Sequence, residues 1–309
     1  MSQSYNSIII TGPTASGKTA LAAHLAYALN GEIISADSRQ VYKKLDIGTG
    51  KDLAEYNVNN TPINHHLVDV AEVGTHFHLY NFITHFYSAF QAIEKKEKLP
   101  IICGGTGLYL DAVIKKLELT AIPNNLELRQ GIEKLSKEEL ISLLNNYPTK
   151  SIQPDLSSHK RLIRAVEVAE YLNNSIIPKI EFVNLKPLVF ALNLPVEERR
   201  NKISKRLKNR FDNGMIDEVK TLLNEGIGHE RLQFLGLEYK YISYYLLNEI
   251  TYDEMFLKLE TSIHQYAKRQ MTWFRKMEKE GIKINWLNAT LSVNENLELI
   301  LKKTKSFKE

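Results

Sequence analysis

The sequence is short of several things, and each shortage narrows the reading. It has one cysteine, Cys103, in 309 residues, so no intramolecular disulfide can form and a reducing compartment fits. No apolar run approaches the ~18 residues needed to cross a bilayer. The opening stretch MSQSYNS lacks the charged and long apolar regions of a secretory signal. These absences predict a cytoplasmic protein without a membrane segment. Charge of one sign is missing too: 40 Lys and Arg stand against 36 Asp and Glu, a net of +4. Total charge therefore says little about partners, and the local placement of the basic residues must decide. Nothing reads as a repeat or a low-complexity linker. There is no N-K-x-D to read guanine. His76 and His78 flank Phe77 without an evident third metal ligand.

What is present reads first as an α/β chain. Ser7–Thr11, Glu32–Ala36, Leu67–Val70 and Pro100–Cys103 have strand character, with helical stretches at Ala20–Leu29 and Asn81–Lys95. Such alternation predicts a parallel sheet covered on both faces. From about Leu117 to Lys186 the chain turns polar and helical, then returns to a strand at Lys186–Leu194. It is helical again to about Gly281, and Ile282–Trp286 reads as a late edge strand. The expected organisation is a core built from residues 1–116 and 187–309, carrying a helical insertion over 117–186. A monomer is the default expectation.

Gly12, Pro13, Thr14, Ala15, Ser16, Gly17, Lys18 and Thr19 fit G-x-x-x-x-G-K-[ST] without a mismatch. The pattern sits between an apolar strand and an Ala-rich helix, where loop amides and a helix N-terminus converge on an anion. Lys18 adds a positive charge, and the Thr19 hydroxyl is placed to ligate Mg²⁺. At average residue frequencies a chain of this length shows the pattern about 1% of the time. The motif specifies phosphate but does not specify ATP. A nucleotide-binding kinase reading also needs an acid at the end of an apolar strand. Asp69, after Leu67-Val68, is the one short candidate and a weak match.

Three further features bear on chemistry. Asp37, opening Asp37-Ser38-Arg39-Gln40, follows the second strand at the edge where open α/β sheets bind ligands; it reads as a helix N-cap or as a general base. Gly104-Gly105-Thr106-Gly107 offers close amides and a hydroxyl, or simply a tight turn. Basic residues gather at Arg199–Arg210, where no acid interrupts, at Lys268–Lys276, and at Lys160, Arg161 and Arg164. Arg206 and Arg210 are four apart and share a helix face. Met255, Phe256, Leu259, Ile263, Tyr266 and Gln270 trace the inner stripe of the last long helix. Three separated patches in a near-neutral chain point to a long polyanion, against the alternative of ordinary surface charge. Tyr239, Tyr241, Tyr244 and Tyr245 could stack on bases or simply pack.

The ordered set GPTASGKT, DSRQVYKKLDIGTGKD, HHLVDV, GGTGLYLDAV, KRLIRAVEV, RFDNGMIDEV and YAKRQMTWFR, spanning residues 12–275, resembles the tRNA dimethylallyltransferase family. That resemblance implies that the loop holds dimethylallyl diphosphate rather than a nucleoside triphosphate. It implies an acceptor as well, the exocyclic amine of the adenosine 3′ of the tRNA anticodon. Carried over residue by residue, Asp37 would accept the amine proton, Thr106 would contact the reacting region, and Arg210 would bind diphosphate. Contacts to tRNA map to Asp37, Ser38, Arg39, Gln40, Arg129, Lys160, Arg161, Arg164, roughly Leu235–Lys240, and Lys268, Arg269, Gln270 and Arg275. The chain departs from the family pattern at Gly50-Lys51-Asp52, at His264 where arginine is frequent, and in Leu235–Tyr239. The His264 departure puts one phosphate or diphosphate contact in question.

Overall fold

The computed structural model describes residues 5–148 and 158–305; the 149–157 part of the expected helical insertion lies outside them. Among the described residues eight strands run in chain order: β1 Ser7–Thr11, β2 Gly31–Ser35, β3 Asn57–Val58, β4 Thr61–Pro62, β5 His65–His66, β6 Leu99–Gly104, β7 Pro187–Asn193 and β8 Ile284–Asn288. β3 and β4 form a small antiparallel pair. The other six make one sheet in the order β5-β2-β6-β1-β7-β8, every neighbour parallel.

The apolar runs in these strands explain the layering. Ile8, Ile9 and Ile10 are all fully buried, as expected when both faces of a parallel sheet are covered. Ile8, Ile10, Leu188, Phe190, Leu192 and Leu287 share one face with the Ala-rich helix Lys18–Leu29. The C-terminal helix Val293–Lys305 joins them through Leu297, Ile300 and Leu301. The Leu79–Lys95 helix packs against β2 and β6, burying Phe82, Phe86 and Phe90. Beyond β7, the helices Val196–Asp212, Met215–Asn224, His229–Leu235, Leu237–Leu246 and Tyr252–Lys279 close a second core with Val41, Tyr42 and Leu45.

The chain divides into two compact units, Met1–Lys115 with Val183–Glu309, and Lys116–Phe182. The regular elements of the second unit, among its described residues, are all helices, and they close on Ile132, Leu140, Leu162 and Val166. Glu167, the one carboxylate buried among its described residues, accepts from Arg129 Nε at 2.9 Å and from Arg164 Nη1. Burial alone would raise that carboxyl; the two guanidiniums hold it below the usual range instead.

Two strand readings need correction. Leu67–Val70 is not a strand: β5 stops at His66, and Leu67 (φ 62°) and Asp69 (φ 56°) take left-handed backbone that cannot extend a ladder. The late strand lies two residues further on, at Ile284–Asn288, because Gly281 (φ 95°) and the turn after the long helix consume 281–283.

Register sets up the site. Thr11 lies beside Gly104, and Ser35 beside Cys103, so the loops after β1, β2 and β6 leave the same edge of the sheet as neighbours.

Candidate functional site

The loop after β1 turns through Ala15 (φ 61°) and Gly17 (φ 80°) into the Lys18–Leu29 helix. No side chain caps that helix N-terminus, so its first amides remain available to an anion. Gly12 is needed for room: a Cβ there would lie 2.9 Å from Ser16 Oγ and 3.0 Å from the Leu192 carbonyl. Ser16 Oγ is buried without a hydrogen-bond partner. Lys18 is half-buried and its ammonium pKa is lowered by desolvation, which the nearby Cys103 and Asp37 oppose. The loop is pinned from across the molecule by Gln270, whose Oε1 accepts from Thr14 N at 2.9 Å while its Nε2 donates to Gly105 O at 2.8 Å. Gln270 therefore joins the first and third loops.

The second loop brings Asp37 to the same place. No helix follows it; residues 38–41 form a turn, and Asp37 Oδ1 accepts from Arg39 N at 2.9 Å. The N-cap reading is thus replaced by a side chain–backbone turn. Oδ2 has no hydrogen-bond partner among the described residues. Thr106 Oγ1 accepts from Ser38 N at 3.0 Å, and Thr106 N donates to Ala36 O at 3.2 Å, stitching the β2 and β6 loops together. The contact needs a glycine beside it, since a Cβ on Gly104 would sit 2.3 Å from Ala36 O. Gln40 Nε2 reaches Gly50 O at 3.1 Å.

Two guanidiniums face these loops from the Val196–Asp212 helix, one turn apart. Arg206 donates to the Thr14 hydroxyl, and burial, aided by Arg210, lowers its pKa to about 10. Arg210 is 8% exposed; its Nη1 donates to Gly48 O at 3.2 Å and to Glu238 at 3.3 Å. Its Nη2 is buried with no partner and lies where a Cβ on Gly50 (φ 63°) would be 1.7 Å away. Glu218 fixes the loop that accepts Arg210, taking the amides of Asp46, Ile47 and Gly48 at 3.0, 2.7 and 3.0 Å and the Tyr239 hydroxyl at 2.7 Å. Desolvation raises the Glu238 carboxyl, with Arg210 opposing.

These groups surround one cavity of about 370 Å³, lined among others by Lys18, Thr19, Asp37, Glu55, Arg206 and Arg210. Burial, then Asp52, raises the Glu55 carboxyl, with Lys18 opposing. Asp69 is elsewhere: with Asp46 it holds the fully buried Lys51 ammonium, at 2.5 and 2.7 Å. The acid that a kinase reading requires is thereby occupied, and the Lys51 departure becomes an internal anchor for the loop carrying Gly48 and Gly50.

The remaining sequence candidates separate. Arg39, Ser38 and Arg269 line this cavity, whereas Lys268, Arg275 and His264 line a second groove of about 970 Å³ on the other side of the long helix. His264 therefore does not bear on a diphosphate in the first cavity. Arg129 and Arg164 hold Glu167 within the second unit, and Lys160 and Arg161 are exposed on its His159–Asn174 helix. Tyr239 is core, with 1% exposure. His76 and His78 stack 5.8 Å apart, and no group of three or more His, Cys, Asp or Glu suited to a metal occurs among the described residues. Sequence reasoning did not single out Arg206, Glu55 or Glu238 for this cavity. Only Arg206 carried a local signal, its four-residue spacing from Arg210.

The IPP transferase family profile matches residues 40–277, and the isopentenyl transferase profile residues 5–62. A tRNA dimethylallyltransferase of Bacteroides fragilis is 48% identical over 303 residues, 98% of this chain and 99% of that one. One of Parabacteroides distasonis is 45% identical over 295 residues, 96% of each. Among solved structures, a tRNA isopentenylpyrophosphate transferase of Bacillus halodurans superposes with a TM-score of 0.71 at 29% identity, covering 98% of both chains. A eukaryotic dimethylallyltransferase acting on tRNA shares the fold at 0.65 and 23% identity, over 92% of this chain and 73% of that one.

Proposed function

The chain belongs to the IPP transferase family of tRNA dimethylallyltransferases, and on that premise we propose how its cavity moves a dimethylallyl group from dimethylallyl diphosphate to tRNA. The acceptor is the exocyclic amine of the adenosine 3′ of the anticodon. One observation carries the assignment of roles: an uncapped helix N-terminus, Lys18, Arg206 and Arg210 converge on the cavity that also receives Asp37. The amine nitrogen forms a bond to the first carbon of the donor while the carbon–oxygen bond breaks and its electron pair leaves with diphosphate. Gly12–Thr19 and the two guanidiniums stabilise that departing charge in a largely desolvated setting. Arg210 Nη2, buried and unpartnered, is an uncommitted donor for it. Asp37 Oδ2 takes the proton, while the Oδ1 bond to Arg39 N keeps the carboxylate aimed. Thr106, bonded to Ser38, positions the loop that carries Asp37.

Mg²⁺ fits the donor set at the loop. Thr19, Glu55 and Asp52 supply hard oxygens near the phosphate cradle, the kind of site in which Mg²⁺ is shared with phosphates and water. When bound, it would neutralise part of the diphosphate charge.

The adenosine must leave its stack to reach the cavity. Arg39, Gln40 and Arg269 stand at the cavity to receive it, and Lys268, Arg275, Lys160 and Arg161 grip flanking RNA. The protein acts as a cytoplasmic monomer in this account. No described helix is long and apolar enough to cross a membrane. Incubation with dimethylallyl diphosphate, Mg²⁺ and unmodified tRNA, followed by nucleoside analysis, should yield dimethylallyladenosine; its absence across several tRNAs would refute the reading.

A further inference from the structure

Two acceptors share Arg210 Nη1 where the guanidinium enters the cavity: Gly48 O at 3.2 Å and Glu238 Oε1 at 3.3 Å. Glu238 is the one carboxylate that pairs with Arg210 among the described residues, and the two side chains are largely buried, at 17% and 9% exposure. The same arrangement leaves Nη2 buried and without a partner. A guanidinium is planar and rigid, so one nitrogen cannot turn without the others. Fixing Nη1 therefore fixes the direction of Nη2.

Glu238 stands in the first turn of the Leu237–Leu246 helix, where the helix dipole by itself favours an acid. That preference does not account for how firmly the turn is held. The adjacent Tyr239 is 1% exposed and donates to Glu218 at 2.7 Å. Glu218 also takes the amides of Asp46, Ile47 and Gly48, so the turn that presents Glu238 and the loop that presents Gly48 O are tied to one carboxylate. Charge points the same way. Burial and the Arg210 charge lower the Arg206 pKa, and Glu238 is the foremost group opposing them; it is a counter-charge to both guanidiniums. Glu238 lines the cavity together with Lys18 and Arg206, so a diphosphate entering there meets an anion already engaged with Arg210.

We propose that Glu238 is a positioning residue for the transfer, an internal counter-anion that locks Arg210 with Nη2 toward the departing diphosphate and, by competing for the same guanidinium, keeps the product diphosphate from being held too tightly. The inference rests on the proposed transferase function. Aim matters because a group displaced by about an ångström loses much of its catalytic effect. Competition follows from electrostatics: two anions that share one cation in a poorly solvated space weaken each other's hold.

The test compares Glu238→Ala, Glu238→Gln, Arg210→Ala and the double variant Arg210→Ala with Glu238→Ala in the full chain, with thermal unfolding recorded for each. Transfer kinetics give turnover and donor KM; isothermal titration gives the affinity for inorganic diphosphate with Mg²⁺ and no RNA. Glu238→Ala should cut turnover about 10–100-fold, with donor KM moved far less. Glu238→Gln keeps an acceptor for Nη1 while removing the charge. It should recover most of the turnover that alanine loses, and it should bind inorganic diphosphate about 3–10-fold more tightly than the parent. In the Arg210→Ala background, Glu238→Ala should cost nothing further, because it acts only through Arg210. Parent-like turnover in Glu238→Ala would overturn the proposal, as would additive losses in the double variant or a diphosphate affinity that Glu238→Gln leaves unmoved. Titration with diphosphate needs no catalysis. A parent protein that binds diphosphate yet modifies no tRNA would refute the transferase reading, and the affinity comparison would still decide the role of Glu238.

Discussion

Asp37 has one oxygen engaged by its own loop and one without a partner, and that division makes its role testable. Asp37→Asn keeps an acceptor for Arg39 N but removes the base. Turnover at saturating substrates should fall by about 10²–10⁴, with stem-loop affinity unchanged, as read by single-turnover transfer beside direct binding. Turnover equal to wild type would reduce Asp37 to a turn residue. At this scale the sequence was informative where chemistry is local: GPTASGKT is a contiguous pattern and its loop sits where that pattern implies. Arg206 meets Thr14 across 192 residues, and Glu55 enters the same cavity from a short helical turn at Leu53–Tyr56. Only the folded chain brings such pairs together, so no spacing rule could have announced them. Asp69, a weak match in the sequence, shows the complementary limit. It follows apolar residues as a metal-binding acid should, but its left-handed backbone and the buried Lys51 assign it to structure.

Elements communicate through a few buried polar joints. Gln270 sits on the inner stripe of the Tyr252–Lys279 helix and bonds both phosphate-side loops. Gln270→Leu should strand Thr14 N and Gly105 O at about 1–3 kcal/mol each. It should also raise donor KM, measurable by denaturant unfolding and initial rates; a loss of RNA affinity alone would contradict this. At the opposite sheet edge, Glu32 in β2 is fully buried and accepts from His66, Asn64, Lys96 and Lys98. Burial opposes ionisation, yet those four partners hold its pKa down to about 2 against an ordinary 4.5. A depressed carboxyl stabilises above its unfolded pKa and loses that contribution as pH falls towards its folded value. The loss runs from roughly pH 4.5 down to 2 and amounts to about 2–3 kcal/mol, since the lysines are partly exposed. Glu32→Gln should lower stability near neutral pH and flatten the acid limb of unfolding free energy against pH. An unchanged limb would mean that other carboxyls dominate. Capping explains which elements were readable. Thr251 with Glu254 and Ser292 with Glu295 both form reciprocal caps; the first opens a helix whose stripe was recognised. The second opens Val293–Lys305, which the sequence reading passed over although its Ser-x-x-Glu signal was present.

For the molecule as a whole, the three basic regions take different places. One arginine pair enters the cavity, another set faces the acid-free groove, and Lys160 and Arg161 are exposed on the Lys116–Phe182 unit, where Arg129 and Arg164 are engaged with Glu167. Net charge could not reveal this distribution, because it sums over the chain: Asp37, Asp52, Glu55 and Glu238 line the first cavity, whereas no acid lines the second groove. The sheet order, with β1 between β6 and β7, was likewise invisible in alternation of strands and helices, although the parallel α/β class was not. That order brings three loops to one edge and leaves a single cavity to hold a donor and an acceptor. The central claim is that Gly12–Thr19 hold a leaving group. Its most direct test uses dimethylallyl diphosphate labelled separately in the allyl carbon and in the terminal phosphate, incubated with unmodified tRNA. Carbon label is expected in a single tRNA adenosine, with an equal amount of phosphate label released as intact diphosphate. Phosphate label in the RNA, release as monophosphate, or RNA without carbon label would contradict it.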